Sequence, residues 1–213
     1  MQADLFAEQR PDVDLRPGAR LLAGCVTGEG RSLFDALIDI AAIAPFRHLV
    51  TPCGRRMSVA MTNCGDVGWV SDLTGYRYDR RDPISGRAWP SMPPIFRQVA
   101  RDLAARVGFM DFAPDACLIN RYEPGARLSL HQDRDERDLR APIVSISLGL
   151  PAIFLWGGDK RPDRPRRLHL AHGDAVVWGG PSRLVFHGID PIQPGVHPVT
   201  GDARYNLTFR RSR

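Results

Sequence analysis

At 213 residues and a formal net charge of +5, with Lys160 its sole lysine, the chain has room for one domain with a substantial core. The arginine excess suits a polyanionic partner without selecting one, and no run of ~18 apolar residues or charged-then-apolar leader points to a membrane or to secretion. Four cysteines without a C-x-x-C pair argue against a disulfide framework and for free thiols filling the core of a cytoplasmic protein.

Ser32-Leu33-Phe34-Asp35 reads as a capping box that opens a helix running to about Ala44, where Pro45 stops it. Leu33, Phe34, Leu37, Ile38 and Ala41 give that helix an apolar stripe. Residues 56–78 alternate and turn like a β-hairpin, punctuated by Gly65, Gly68 and Gly75. A second helix is expected from Pro93-Pro94 to Gly108, with Ile95, Phe96, Val99, Leu103 and Val107 on one face. From Ala116 onward the pattern is short strands: 116–122, 128–133, 142–150, 152–156, 166–170, 175–179, 184–188 and 202–210. The expected class is α+β, a double-stranded β-helix (jelly roll) buttressed by the N-terminal helices. Residues 1–213 form one domain in this reading. About 1–115 supply the N-terminal extension, the buttress and a hairpin lid over the mouth of the roll, and about 116–213 supply the roll itself.

Within those strands lies His131-Gln132-Asp133. Strand side chains alternate with period two, so His-X-Asp on a strand puts both side chains on one face. His187 follows after fifty-three intervening residues, room for strands to wrap round and return beside the first. Two imidazoles and a carboxylate can hold a non-haem Fe(II) on one face and leave other positions open. His172-Gly173-Asp174 is a rival His-X-Asp. Its central glycine and the apolar run Ala175-Val176-Val177-Trp178 read instead as a tight turn feeding a strand. Arg204 and Arg210 are an even number of residues apart, so both can face one cavity and bind a dicarboxylic acid through charge-assisted hydrogen bonds.

Those motifs sit among further strings: Asn120-Arg121-Tyr122, Leu128-Ser129-Leu130-His131-Gln132-Asp133, Arg140-Ala141-Pro142-Ile143-Val144-Ser145, Ser147-Leu148-Gly149, Trp178-Gly179-Gly180, Arg183 with His187-Gly188, and Arg204-Tyr205-Asn206-Leu207-Thr208-Phe209-Arg210. Together they resemble the AlkB-type Fe(II)- and 2-oxoglutarate-dependent dioxygenases that demethylate alkylated nucleic acid. Met57 to Gly65 and Gly68-Trp69 match the bacterial members, and the resemblance extends from about residue 45 to 210. It implies Fe(II) on His131, Asp133 and His187, with O2 and 2-oxoglutarate as cosubstrates. It implies 2-oxoglutarate on Asn120, Tyr122, Arg204, Asn206 and Arg210, with Arg204 and Tyr122 at the remote carboxylate and Arg210 nearer the metal. The expected reaction removes methyl groups from bases such as 1-methyladenine and 3-methylcytosine, releasing formaldehyde, succinate and CO2.

For the substrate, Asp135, with Glu136 beside it, is expected to attract a positively charged methylated base. Trp69 and Tyr76 are lid aromatics that can stack on an extruded base, with His131 as the opposite wall and Met61 adding apolar contact. Arg127, Arg134 and Arg161, the last within the basic stretch 158–167, would track a phosphate backbone, with Thr51 and Tyr76 adding hydrogen bonds. The partner is then DNA, single- or double-stranded, with RNA as a second class, and the protein a monomer. Gln2-Ala3-Asp4-Leu5-Phe6 resembles the peptide by which bacterial repair proteins dock on the sliding clamp; its plainer reading is an N-terminus anchored by Leu5 and Phe6. Two other functions fit parts of the pattern. One is an iron hydroxylase of a small molecule or protein side chain; the other is a cupin-like binding module without redox chemistry.

Overall fold

The computed structural model describes residues 10–213, so the clamp-like peptide at 2–6 lies outside the described residues. A hairpin comes first: β1 (Val13–Arg16) and β2 (Ala19–Leu22) flank the Pro17-Gly18 turn. Helix α1 spans Gly30–Ile43, and β3 (Arg47–Val50) and β4 (Arg56–Gly65) follow. A second hairpin pairs β5 (Gly68–Asp72) with β6 (Gly75–Asp79), and helix α2 spans Pro94–Arg106. The remaining strands are β7 (Ala116–Tyr122), β8 (Leu128–His131), β9 (Ile143–Gly149), β10 (Ala152–Trp156), β11 (Arg166–Leu170), β12 (Ala175–Trp178), β13 (His187–Ile189) and β14 (Arg204–Arg210). No helix among the described residues is long and apolar enough to cross a membrane.

The jelly roll expected from the strand pattern is present. One sheet runs β1-β2-β12-β9-β14-β7-β4-β3 and the opposing sheet runs β11-β10-β13-β8, so successive strands from β7 onward pass repeatedly between sheets. Strand alternation sets what each face of the large sheet carries. Val144, Ile146, Leu148, Leu207, Phe209, Cys117 and Ile119 pack on one side with Leu33, Leu37 and Ile40 of α1 and Phe96, Ala100 and Leu103 of α2. This is the helical buttress. Residues of opposite parity face the other sheet, and there Ile143, Leu118 and Tyr122 join Phe154, Trp156 and Ile189 in a second core. Ser145, Ser147, Arg204, Asn206, Thr208 and Arg210 share that inward parity and are all buried. A polar cluster between two apolar layers is costly unless it is used.

Several local expectations are corrected. Ser32 does not cap α1: the helix starts three residues earlier, after Glu29 and without a side-chain cap, and Gly30 lies so close to the His172 ring that a Cβ would stand 2.3 Å from its Nε2. The single hairpin expected over 56–78 is two structures, because β4 is long enough to pair with both β3 and β7 in the large sheet, leaving only β5 and β6 as the outer hairpin. The β1–β2 hairpin was not anticipated, although Pro-Gly between short apolar runs is a turn signal. Cys64 and Cys117 are core residues as expected, but Cys53 is exposed in the Thr51–Arg55 turn.

Candidate active site

His131 ends β8 and lies directly opposite His187 at the start of β13. Fifty-five residues of intervening chain return the second imidazole to the first, with ring centroids 4.4 Å apart. Asp133 departs from the simple strand argument, since β8 stops at His131 and Asp133 lies two residues beyond it. Its carboxylate nevertheless reaches both rings, at 3.5 Å from His131 Nε2 and 3.8 Å from His187 Nε2. Ligand atoms of all three lie within 4.8 Å of one another. Each imidazole points its Nε2 inward because its Nδ1 is held by a backbone carbonyl, Ser129 O at 2.9 Å for His131 and Val185 O at 3.0 Å for His187. The rival His172-Gly173-Asp174 is a turn: Gly173 has φ +85°, Asp174 accepts from the Ala171 and Gly24 amides, and His172 Nδ1 accepts from the Gly149 amide.

Arginine replaces strand geometry in placing Asp133. Arg210 donates to Asp133 Oδ2 at 2.6 and 3.1 Å, and Arg183 donates to the Asp133 carbonyl. Burial alone would raise the Asp133 pKa, but Arg210, then the His131 contact and His187, outweigh it and hold the carboxyl well below its ordinary value. His187 moves down from 6.5 to about 4, first through burial and then through repulsion from His131, with Asp133 opposing. Both shifts favour a neutral imidazole beside a carboxylate, the forms that bind metal. The sign for stability follows. As pH falls from 6.5 towards about 4, the unfolded chain takes up a proton that folded His187 refuses, so the metal-free fold weakens. Urea unfolding should show this loss across that window, at most about 1.4 kcal/mol per pH unit. His187→Asn should flatten the slope by about one proton; an unchanged slope would contradict it.

The inner face of the large sheet forms the floor of the same site. Arg204 is 1% exposed, stacks over the Tyr122 ring at 4.9 Å and donates to Ser147 Oγ at 3.0 Å, while its Nε and Nη1 have no partner among the described residues. Asn120 Oδ1 is also buried and has no partner among the described residues, whereas Asn120 Nδ2 donates to Asn206 Oδ1 at 3.1 Å. Asn206 is fully engaged, donating to Ser145 Oγ and Ile146 O and accepting from Asn120 and Thr208. It acts as a strut here, with no polar atom left over. A buried guanidinium with two unpaired donor atoms could hold an anion.

A sequence profile described as the 2OG-Fe(II) oxygenase superfamily matches residues 18–210. The chain is also similar to the alpha-ketoglutarate-dependent dioxygenase AlkB of Salmonella typhimurium, at 55% identity over 98% of this chain and 97% of that protein. The chain belongs to the AlkB family of 2OG-Fe(II) oxygenases. A DNA N(6)-methyladenine demethylase of Arabidopsis thaliana, ALKBH1C, is 35% identical over 70% of this chain and 38% of its own length. The solved structure of OsALKBH1 superposes with a TM-score of 0.82 at 30% identity, covering 94% of this chain and 100% of that one.

As an AlkB-family oxygenase the chain takes Fe(II) and 2-oxoglutarate with O2, and the residues present fit both groups. His131, Asp133 and His187 offer the two-nitrogen, one-carboxylate donor set of a non-haem ferrous site. The orphaned Arg204 atoms offer a buried fork for a carboxylate beside it. All seventeen residues singled out from the sequence line one cavity of about 750 Å³. Their environments differ. Trp69 and Tyr76 of the outer hairpin stack at 5.6 Å, and Trp69 Nε1 donates to the exposed Asp135 at 2.8 Å. Met61 lines the same cavity and is buried, at 3% exposure. Arg127, Arg134 and Arg161 are exposed at the rim, the last with its guanidinium 5.7 Å from the Phe186 ring centre. The Thr51 hydroxyl is occupied within its own turn by the Arg55 amide and carbonyl. Glu136 departs from the expected substrate role: it is 6% exposed and bonded to Tyr78 and Arg183. Tyr78 and Arg55 were not singled out, though Tyr78 shares the parity of Tyr76 on β6 and Arg55 adjoins the Thr51 turn.

Proposed function

We propose that this protein repairs N-alkylated bases in DNA, and in RNA as a second substrate, by oxidative removal of the alkyl group. The observation that carries the reading is the pairing of the Trp69 ring with the Asp135 carboxylate at the mouth of a cavity whose floor holds His131, Asp133 and His187. An aromatic face and a fixed negative charge together select a flat cation, which 1-methyladenine and 3-methylcytosine are and their unmodified parents are not. The name of ALKBH1C, a DNA N(6)-methyladenine demethylase, supports the broader class of methylated DNA bases.

Fe(II) with 2-oxoglutarate and O2 supplies the oxidation, releasing formaldehyde, succinate and CO2. The chain's own residues bind and orient. Arg204, braced by Tyr122 and Ser147, anchors the remote carboxylate of the cosubstrate, and Arg210 lies at the metal end. Trp69 and His131 bracket the target base, whose extrusion from a duplex costs a few kcal/mol and from a single strand less. The rim arginines hold flanking phosphates, so binding should weaken steeply with salt. No protein nucleophile is required, since positioning and exclusion of water are the protein's share.

The test is formaldehyde release from oligonucleotides carrying 1-methyladenine or 3-methylcytosine, with Fe(II) and 2-oxoglutarate. Release from those, and none from unmodified strands, is expected; succinate formation without any formaldehyde would refute the reading. Asp135→Asn should keep the Trp69 contact while losing the charge, lowering kcat/KM for the cationic base by about 10-fold, a loss of about 1.4 kcal/mol. Neutral alkylated bases should be affected much less, and equal losses on both would refute the charge argument.

A further inference from the structure

Asp133 sits in a segment without regular structure, two residues past the end of β8, so the sheet does not place it. Its surroundings do. Arg210 Nε stands between two carboxylates, 3.1 Å from Asp133 Oδ2 and 3.4 Å from Glu136 Oε1, while its Nη2 bonds Asp133 alone. Arg183 holds the other Glu136 oxygen at 2.8 Å and also donates to the Asp133 and Ala141 carbonyls. The Tyr78 hydroxyl donates to Glu136 Oε1. The Glu136 side chain is 2% exposed and both of its oxygens are engaged, which leaves nothing to read a base.

We propose that Glu136 and Tyr78 are positioning residues for the metal-binding carboxylate, sharing Arg210 so that Asp133 is aimed at the metal without being sealed by it. Two guanidinium groups and two carboxylates make this buried cluster neutral. Neutralising Glu136 leaves Arg210 and Arg183 with Asp133 as their sole remaining counterion in the cluster. Arg210 then closes fully on Asp133 and competes for the lone pairs a metal needs. Tyr78 steadies Glu136 from β6, the strand that also carries Tyr76 to the cavity mouth, so the outer hairpin and the carboxylate ligand share one bonded path. This rests on reading His131, Asp133 and His187 as a metal site.

Titration of the full-length protein with Co(II) under anaerobic conditions, followed by visible absorption, tests the assignment without turnover. Glu136→Gln should weaken Co(II) binding by about 10–100-fold and shift its absorption bands. Tyr78→Phe should weaken it in the same direction by about 3–10-fold. Folded variants that bind Co(II) within about twofold of the parent, with unchanged bands, would overturn the proposal. So would a Glu136→Gln protein whose KM for methylated oligonucleotide rises while its Co(II) affinity stays put. If circular dichroism shows Glu136→Gln unfolded, Tyr78→Phe decides alone. A parent protein that binds no Co(II) overturns both this proposal and the metal reading beneath it.

Discussion

Asp133→Ala is expected to abolish metal retention and formaldehyde release, and to destabilise the fold as well. The first loss follows from removing one of three ligand atoms that lie within 4.8 Å of one another. The second follows from what the carboxylate leaves behind. Arg210 would lose contacts at 2.6 and 3.1 Å and keep only the more distant Glu136 oxygen at 3.4 Å. Breaking a buried ion pair by removing one partner costs about 3–5 kcal/mol. Asp133→Asn separates the two effects, because an amide of the same shape still accepts from Arg210. It should recover the hydrogen-bonding part of the stability but not the ion-pair part, and none of the turnover. Denaturant unfolding and the formaldehyde assay, run on both variants, check this. An Asp133→Asn protein retaining near-parental turnover would remove the ferrous site from the account.

Arg204→Met should split stability from cosubstrate binding in opposite directions. In the parent, Arg204 Nε and Nη1 are buried without a partner among the described residues, and burial is the main cause of a lowered pKa. A buried charge so poorly satisfied costs stability until an anion arrives, so a methionine of similar reach should leave the metal-free fold as stable or more so. Affinity for 2-oxoglutarate should fall by about 2–5 kcal/mol, the usual cost of truncating one partner of a buried charged pair. That is about 30-fold to several thousand-fold. Arg204→Lys should not rescue it, since a point charge cannot reproduce the fork or the stacking on Tyr122. Thermal shift with and without 2-oxoglutarate reads both signs at once, because ligand stabilisation scales with affinity. Full stabilisation of Arg204→Met by 2-oxoglutarate would contradict the assignment of that carboxylate.

Much of this site is legible in the sequence. Strand parity placed Arg204, Asn206 and Arg210 on one face, and Asn120 with Tyr122 on one face, and those residues line one cavity. The long interval between Asp133 and His187 called for a returning strand, and β13 pairs with β8 at His187 and His131. The glycine-centred Asp174 motif read as a turn and is one. Parity failed where strands ended. Asp133, Asp135 and Glu136 follow β8 in an irregular segment, so alternation says nothing of which carboxylate turns inward. Asp135 faces the mouth and Glu136 the interior, opposite to a reading that gave them one role. Residues 56–78 alternate evenly, and only pairing with β7 shows that β4 belongs to the large sheet.

The order of residues alone determined the donor types, their parity on each strand and the apolar stripes that pack both helices, because periodicity is local. Which charges share a proton donor, which guanidinium keeps empty valences and which carboxylate is withheld from solvent were decided by tertiary packing. Those properties depend on groups brought together across long stretches of chain. Glu136 meets Arg183 only when β13 returns beside β8, and Arg210 meets Asp133 only when β14 completes the large sheet.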